Sequence, residues 1–276
     1  MLRVAALQYC ASDDVAKTLH HIQPLIAEAA SKASLVALPE CANYLAASRE
    51  QLFQRAEWDD ESYSQKWLAN VACEFGIWLL AGSLIMRRRD NNQLVNRSLL
   101  FGPDGAVVAD YDKIHMFDAD VGDGKSYQES ASFAAGQSPV IAHVDNVPCG
   151  LTICYDVRFA HLYRQLALDG AQLFLVPAAF TALSGKAHWH VLLRARAIET
   201  GCYVVAPAQS GTHADGRKTY GHSLIINPWG EIIAEAKDGD AIICATLDLS
   251  ATARAQNAIP SLQTNPVIGP TRITGP

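Results

Sequence analysis

The order of apolar runs along this chain limits its fold more than any other feature of the sequence. Short apolar runs alternate with stretches in which apolar residues recur at helical spacing, and most of the short runs are apolar on both faces. A strand of that kind must be covered on both sides, by helices or by another sheet. Two mixed sheets stacked between helical layers would account for so many two-sided strands in an α/β fold.

The predicted elements follow this alternation. The predicted helices cover 13–29, 60–75, 160–168 and 187–200, and the predicted strands include 2–9, 35–38, 77–86, 94–101, 106–111, 139–144, 173–177, 202–207, 222–227, 232–236 and 241–247. Between the two groups, 117–136 is predicted to be a long loop, and loops of that length are often functional.

Size and composition favour one domain followed by a tail. The chain has 276 residues, of which 50% are hydrophobic and 18% charged, and this suffices for one large core. No repeat or shift in composition marks a second domain. We expect the folded domain at 1–250 and a proline-containing C-terminal tail at 251–276, where the apolar pattern fades. Such a tail is either disordered or lies across a neighbouring subunit.

Charge and cysteine usage indicate a cytoplasmic protein without nucleic-acid or membrane partners. The net charge of −6 argues against a nucleic-acid surface, and no apolar run approaches membrane-spanning length. The seven cysteines are scattered and odd in number, as is typical of reduced thiols. Because no CxxC pair occurs, a structural zinc site is not expected.

A cysteine stands where a short apolar run ends and a helical pattern begins. Gly150-Leu-Thr-Ile precedes Cys154, a polar patch follows it, and the helix is predicted from Ala160. A turn between strand and helix exposes a thiol, and the N–H groups of a helix start favour its thiolate form. Cys154 is therefore a candidate nucleophile, although most free cysteines are buried and structural.

Two further charged residues stand at strand ends. Glu40 follows the run 35–38, and Lys113 follows 106–111. The carboxyl ends of strands are where α/β sheets usually carry their chemistry. A solvated surface residue is the alternative reading for each of the two.

Together the contexts Leu-Pro-Glu40-Cys, Tyr-Asp-Lys113-Ile-His-Met-Phe and Ile-Cys154-Tyr-Asp-Val-Arg-Phe resemble the nitrilase superfamily of carbon–nitrogen hydrolases. The resemblance extends to about Leu249, with the motifs in the expected order. It implies an α-β-β-α sandwich with a Glu–Lys–Cys triad at its centre. Glu129, in Gln-Glu-Ser, matches a second glutamate that often supports the lysine.

The roles implied by this resemblance make physical sense. Cys154 would attack an amide carbonyl as a thiolate, with Lys113 lowering its pKa and then stabilising the oxyanion. The backbone N–H of Tyr155 would be the second oxyanion donor. Glu40 would act as general base and acid, and the product of the first half-reaction would be a thioester on Cys154. No metal or cofactor is needed. The alternating His188 and His190 near a helix start are more often structural than a ligand pair.

The segment 117–130 resembles the loop of the deaminated glutathione amidases, as do 179–181, 185–189 and 220–225. This implies a small-molecule amide substrate that hydrolysis splits into 2-oxoglutarate and cysteinylglycine. Arg158 is then the candidate partner for the α-keto carboxylate, since its guanidinium matches a carboxylate in a bidentate fashion. The alternative for Arg158 is a structural ion pair. Phe180 is expected to line the pocket, or else to belong to the core.

Three alternatives stay open at this point. The sister branch of ω-amidases, which act on 2-oxoglutaramate and succinamate, shares the triad, the arginine and much of the loop. A catalytically silent relative that binds partners is a second alternative, against which the intact Glu40, Lys113 and Cys154 argue. A thiol oxidoreductase lacks a resolving cysteine at CxxC spacing, and Cys149 is expected to point away. Relatives commonly form homodimers or larger homo-oligomers, and we expect the same here.

Overall fold

Two sheets form the centre of the molecule. The computed structural model describes residues 1–264 and 270–272. In these residues the helices are α1 Val15–Ala30, α2 Arg49–Arg55, α3 Tyr63–Phe75, α4 Ala160–Leu168, α5 Ala182–Thr200 and α6 Ser250–Ala258. The strands are β1 Leu2–Gln8, β2 Leu35–Ala37, β3 Glu57–Trp58, β4 Trp78–Arg87, β5 Leu94–Phe101, β6 Val107–Asp112, β7 Asp118–Asp120, β8 Ser126–Gln128, β9 Val140–Val144, β10 Val147–Leu151, β11 Leu173–Leu175, β12 Tyr203–Ala206, β13 Ser210–Thr212, β14 Lys218–Tyr220, β15 Leu224–Ile226, β16 Ile232–Glu235 and β17 Ala241–Leu247.

Both large sheets are mixed. The first has the order β17-β1-β2-β4-β5-β6, with β3 beside β4, and the second has the order β16-β15-β12-β11-β10-β9. In each sheet the central pairs are parallel and the flanking pairs antiparallel, as β1 shows by pairing parallel to β2 and antiparallel to β17. Two short hairpins, β7–β8 and β13–β14, stand apart from the two sheets.

Strand β1 illustrates why the strands are apolar on both faces. Successive side chains of a strand point to opposite sides. Val4 and Ala6 belong to the core that lies between the two sheets, whereas Ala5 and Leu7 pack with residues of α1 and α3. All four side chains are fully buried. A strand between a second sheet and a helical layer thus has no face left for water.

Helices cover the outer face of each sheet. Helices α1 and α3 pack on β1, β2 and β4, while α4 and α5 pack on β10, β12 and β15. The result is a four-layer α-β-β-α sandwich, so the predicted fold is confirmed. The predicted start of α1 is also observed. The Asp14 carboxylate caps this helix by accepting a hydrogen bond from the Lys17 amide at 2.9 Å.

Several elements differ from the sequence-based expectation. Helix α5 begins at Ala182, capped by Thr181, rather than at 187. Helices α2 and α6 were not predicted, because α2 buries no side chain and α6 buries only Thr252, so neither has an apolar stripe. The predicted loop 117–136 contains the hairpin β7–β8 and a short 3-10 turn.

The predicted tail from 251 therefore begins inside a helix. Beyond it, the Arg164 guanidinium donates to the carbonyl oxygens of Ser261 and Leu262, at 3.4 and 3.2 Å. The division at 250 and the contact with a neighbouring subunit stay predictions, and the prolines at 266 and 276 lie outside the described residues. Among the helices described, none has the length and apolar character needed to cross a bilayer.

Candidate active site

Cys154 lies in a strained turn between β10 and α4. The 3-10 turn Cys154–Arg158 fills the gap between strand and helix, and Cys154 begins it with φ at +49°. A non-glycine residue in this region is uncommon and marks a backbone that the surrounding structure holds in place. Here the Cys154 amide donates to the Pro177 carbonyl at 2.8 Å. The side chain thus stands at the carboxyl end of the second sheet.

Glu40 follows β2 at the corresponding end of the first sheet. The chain turns through Leu38 and Pro39 so closely to β4 that a Cβ on Gly82 would lie 2.0 Å from the Leu38 carbonyl oxygen. Only glycine leaves room for this turn. The Glu40 carboxylate then reaches across to the second sheet, where the Ala179 amide donates to its Oε2 at 2.9 Å.

Lys113 completes the group from the end of β6. Its Nζ donates to Glu40 Oε1 at 2.9 Å and to the two oxygens of Glu129 at 2.9 and 2.8 Å. The lysine is 2% exposed, so its charge is balanced by these carboxylates and not by water. Glu129 is fixed in turn by the Phe117 amide, which donates to its Oε2 at 2.6 Å.

The predicted catalytic residues converge. Cys154 lies close enough to Glu40 and Lys113 for both charges to act on the pKa of its thiol. Glu40, Lys113, Glu129 and Cys154 all line one cavity of about 400 Å³. Residues far apart along the chain thus meet at one open cavity, which is the size range of small-molecule sites. The alternative reading of Glu40 and Lys113 as solvated surface residues is wrong.

Burial and mutual pairing set the ionisation of this group. Burial alone would raise the pKa of Glu40, but the Lys113 charge and hydrogen bonds from Cys154, Lys113 and Asn96 hold it below its ordinary value. Burial alone would lower the pKa of Lys113, but Glu129 and Glu40 raise it well above its ordinary value. At neutral pH Glu40 is therefore a carboxylate and Lys113 an ammonium.

One expectation about the thiol needs correction. Helix N–H groups and Lys113 were expected to favour the Cys154 thiolate. In the structure, burial and the neighbouring Glu40 charge raise the pKa of Cys154 well above its ordinary value, and Lys113 offsets only part of this. Cys154, the candidate nucleophile, therefore rests as a thiol, because a second anion beside Glu40 in a buried site is unfavourable. The neighbouring Glu40 carboxylate is the candidate base for its proton.

Sequence reasoning missed Asn96, which links the two glutamates. From the middle of β5, its Nδ2 donates to Glu40 Oε1 at 2.9 Å and to Glu129 Oε1 at 3.3 Å. A polar residue that is 3% exposed on a strand needs such partners. The signal that could have found it is an asparagine inside the otherwise apolar run 94–101.

Asp156 was missed as well, and it anchors the turn that carries Cys154. Its carboxylate is fully buried and accepts from the Tyr111 hydroxyl at 2.8 Å, from the Ile153 amide at 2.8 Å and from the His115 amide at 3.1 Å. These contacts tie the nucleophile turn to the end of β6, two residues from Lys113. The turn is thus held from both sheets.

The predicted substrate-binding residues divide between two neighbouring depressions. Tyr155 and Phe180 line the cavity that contains Cys154. Arg158 lines an adjoining depression that shares Phe117, Tyr155 and Ser184 with it. Arg158 is half-buried, and its guanidinium lies over the rings of Phe180 and Tyr155 at 5.3 and 5.8 Å. Its role with a carboxylate stays a prediction.

The histidines of α5 have separate surroundings. His188 Nδ1 lies 3.2 Å from the Arg158 guanidinium, whereas His190 Nε2 lies 2.9 Å from the Glu235 carboxylate. They are therefore not a ligand pair with one another. Cys149 is buried, with its thiol donating to the Val147 carbonyl at 3.3 Å, so it points away from the cavity as expected.

The outer part of the cavity carries a cation that sequence reasoning did not find. Arg217, in the loop between β13 and β14, lines the cavity together with Tyr127 and Asp215. Its Nε is buried and has no hydrogen-bond partner in the described part of the chain, and it lies 3.5 Å from the nearer Asp215 oxygen. A buried donor without a partner is costly and needs an explanation.

Fold and site together define a thiol-dependent hydrolase of the α-β-β-α type. The comparison with protein families agrees, since the carbon-nitrogen hydrolase profile matches residues 3–257. The chain belongs to this family, within the nitrilase superfamily, and is a hydrolase of carbon–nitrogen bonds. The catalytically silent alternative is therefore not supported.

Similar proteins cover almost the whole chain. It is 41% identical to a deaminated glutathione amidase of Synechocystis over 94% of this chain and 96% of that protein. It is 36% identical to omega-amidase NIT2 of Xenopus tropicalis, over 94% and 92%. Among solved structures, Saccharomyces cerevisiae Nit3, described as a member of branch 10 of the nitrilase superfamily, has a TM-score of 0.85 at 30% identity and covers 94% of each chain.

Two other solved structures have the same fold. The Caenorhabditis elegans NitFhit protein has a TM-score of 0.88 at 32% identity, over 96% of this chain and 65% of that one. XC1258 of Xanthomonas campestris, at 26% identity and TM-score 0.84 over 99% of each chain, is described with an arsenic adduct in its active site.

Proposed function

We propose that this enzyme hydrolyses deaminated glutathione, giving 2-oxoglutarate and cysteinylglycine. The observation that carries the proposal is the outer cavity, where the Arg217 guanidinium lies beyond the paired charges of Glu40, Lys113 and Glu129. Deaminated glutathione has a carboxylate at each end, one on the keto acid and one on the glycine. The relative at 41% identity, which is named for this substrate, supports the same assignment.

The first half of the reaction forms a thioester. Glu40 takes the proton of the Cys154 thiol as the sulfur attacks the amide carbonyl, and Lys113 and the Tyr155 amide stabilise the oxyanion. The carbon–nitrogen bond then breaks, and the proton on Glu40 passes to the leaving amine. Cysteinylglycine leaves, and the 2-oxoglutaryl group stays bound to Cys154.

The second half releases the acid. Glu40, again a carboxylate, takes a proton from a water molecule that attacks the thioester. The carbon–sulfur bond breaks, the sulfur regains a proton from Glu40, and 2-oxoglutarate leaves. Glu129 keeps Lys113 in place throughout, supported by the contacts of 2.8 and 2.9 Å between them. No metal or cofactor takes part in these steps.

Two arginines are proposed to hold the two ends of the substrate. Arg217 would pair with the glycine carboxylate, because its Nε is buried beside the cavity without a partner in the described residues. Arg158 would pair with the keto-acid carboxylate from the adjoining depression, where its guanidinium lies over the ring of Phe180. Both sites would be filled by deaminated glutathione.

Omega-amidase activity is the second candidate, favoured by the relative at 36% identity that is named for it. 2-Oxoglutaramate has one carboxylate and releases only ammonia, so it would leave Arg217 with Asp215 as its only charged partner among the described residues. The test is a comparison of kcat/KM for deaminated glutathione and 2-oxoglutaramate, with release of 2-oxoglutarate as the common signal and Cys154→Ala as the blank. We expect the higher value for deaminated glutathione. A far higher value for 2-oxoglutaramate would contradict the proposal.

We also propose a cytoplasmic, homo-oligomeric enzyme. All seven cysteines are free, which suits a reducing compartment. Fractionation of source cells would test the compartment. Light scattering would test the assembly state, with a monomer at working concentration as the contrary result.

A further inference from the structure

We propose that His190, His222 and Glu235 form a binding site for a divalent transition-metal ion of the Zn²⁺ type. None of these three residues lines the cavity that contains Cys154. The site would therefore be separate from the chemistry of amide hydrolysis. Its donors, two imidazoles and one carboxylate, are a set that zinc and its neighbours in the first transition row prefer.

The distances between the donor atoms carry the proposal. His190 Nε2 and His222 Nδ1 each lie 2.9 Å from Glu235 Oε1, and all three donor atoms lie within 4.8 Å of one another. Ligands at about 2.0–2.1 Å from a tetrahedral ion are roughly 3.4 Å apart. The contacts need to open by only a few tenths of an ångström to admit the ion in place of the two hydrogen bonds.

The ligands come from three elements and are held before any ion binds. His190 is on α5, His222 lies between β14 and β15, and Glu235 ends β16. His222 has φ at +53°, a conformation that a non-glycine residue rarely adopts without support. That support is visible: the Trp189 indole donates to the His222 carbonyl at 2.7 Å, and the His222 ring stacks on Tyr220 at 4.4 Å.

The exposure of the three side chains and the elements around them indicate what a bound ion would do. The side chains of His190, His222 and Glu235 are 28%, 27% and 37% exposed, so a water molecule can fill the fourth position. An ion here would join α5 to the β15–β16 edge of the second sheet. Trp189 packs on Phe180 at 4.9 Å, so the joined elements lie directly behind one wall of the catalytic cavity. The expected role is to stabilise the fold and not to take part in the reaction.

The test is zinc binding to the full chain, prepared without a histidine tag and stripped with a chelator. Cys154→Ala serves as the background, so that the catalytic thiol does not bind the ion and turnover is not the readout. Competition with a chromophoric chelator gives stoichiometry and affinity. Co²⁺ absorption separates nitrogen and oxygen ligands from sulfur, which adds an intense charge-transfer band.

Two variants and one control decide the outcome. His190→Gln keeps a good helix former, and His222→Asn keeps a residue that tolerates positive φ. The control is His143→Gln, an exposed histidine on β9. We expect one bound ion, at least a tenfold loss of affinity in each site variant, no change in the control, and a zinc-dependent rise in Tm that both site variants lose. Equal binding in the site variants, no stoichiometric binding at all, or a sulfur band from the bound Co²⁺ would each overturn the proposal.

Discussion

Charged side chains are paired differently in the inner and outer parts of the cavity that contains Cys154. At the inner end, the Lys113 ammonium is enclosed between Glu40 and Glu129 at hydrogen-bond distance. At the outer end, Arg217 lies 3.5 Å from Asp215, and its Nε has no hydrogen-bond partner in the described residues. The inner charges are thus paired by hydrogen-bonded contacts, whereas the outer cation has an ion pair without a hydrogen bond from its Nε.

This difference separates side chains that the protein itself holds in place from a side chain that a substrate can still engage. A buried and fully paired ion group costs free energy to assemble, and removing one member leaves the others uncompensated. The contacts among Lys113, Glu40 and Glu129 thus hold the inner group in place before the substrate arrives. The outer arginine can exchange partners, so the same inner chemistry can serve different amides.

The largest effect is expected at the nucleophile. Cys154→Ala removes the atom that carries the acyl group, and we expect kcat to fall by at least about 10⁴-fold, with the fold retained. Steady-state assays at high enzyme concentration measure the loss, and circular dichroism checks the fold. Residual activity within tenfold of the parent enzyme would exclude Cys154 as the nucleophile.

Lys113→Met is expected to lose slightly less activity but more stability. Loss of an oxyanion donor costs about 10²–10³ in kcat, and loss of the cation leaves Glu40 and Glu129 facing each other without compensation. Thermal unfolding should therefore show a lower Tm than for Cys154→Ala, which leaves the ion group intact. Equal Tm values for Lys113→Met and Cys154→Ala would contradict the expected loss of stability.

Arg217→Gln is expected to change specificity. A hydrogen bond to a charged group contributes about 1.5–3 kcal/mol, so kcat/KM for deaminated glutathione should fall roughly 10- to 100-fold. The value for 2-oxoglutaramate should stay within about twofold, since that substrate does not reach the outer end. Lys218→Gln, at the exposed next position, is the matched control. Equal losses on both substrates would assign Arg217 a structural role.

Arg158→Gln should have a smaller effect, of about tenfold in kcat/KM, on amides of keto acids. Simple amides such as butyramide have no carboxylate for Arg158 to pair with, and they should lose less. The measurement is the ratio of the two kcat/KM values in the variant and the parent. An unchanged ratio would leave Arg158 as a partner of His188 and the aromatic rings only.

The pH dependence of the parent enzyme should be the weakest effect. The proposed mechanism requires Glu40 as a carboxylate, and Lys113 together with the hydrogen bonds holds the pKa of Glu40 below its ordinary value of 4.5 despite burial. The carboxylate thus persists as pH falls to 4.5, and kcat/KM should stay level from neutral pH to the point of acid unfolding. An acid limb centred near pH 6 in the folded enzyme would contradict this assignment.

The inner residues were predictable from the sequence and the outer ones were not. Glu40, Lys113 and Cys154 each end an apolar run, and the ends of β2 and β6 in one sheet and of β10 in the facing sheet bring them together. Arg217 lies in a turn whose position depends on the hairpin β13–β14, and nothing in the local pattern of 213–217 distinguishes it from a surface arginine. Its position became clear only from the packing of that hairpin beside Tyr127.

Two features that the sequence did not predict correctly, the ionisation of Cys154 and a cluster of metal-ligand residues, have a common physical origin. The thiolate form of Cys154 was inferred from the nearby helix start and lysine, but the degree of burial decides the pKa, and burial is a property of the whole fold. The cluster of His190, His222 and Glu235 was also missed, because its members come from a helix, a turn and a strand with no motif spacing. Contacts between distant segments have no local signature.

The account depends most directly on an acyl group carried by Cys154. Rapid-quench intact-mass measurement, with deaminated glutathione as the substrate, tests this in a single turnover. The account predicts a 2-oxoglutaryl adduct that forms before 2-oxoglutarate is released and that maps to Cys154 after digestion, with no adduct in Cys154→Ala. Turnover by the parent enzyme with an adduct on another residue, or an adduct that persists in Cys154→Ala, would contradict it.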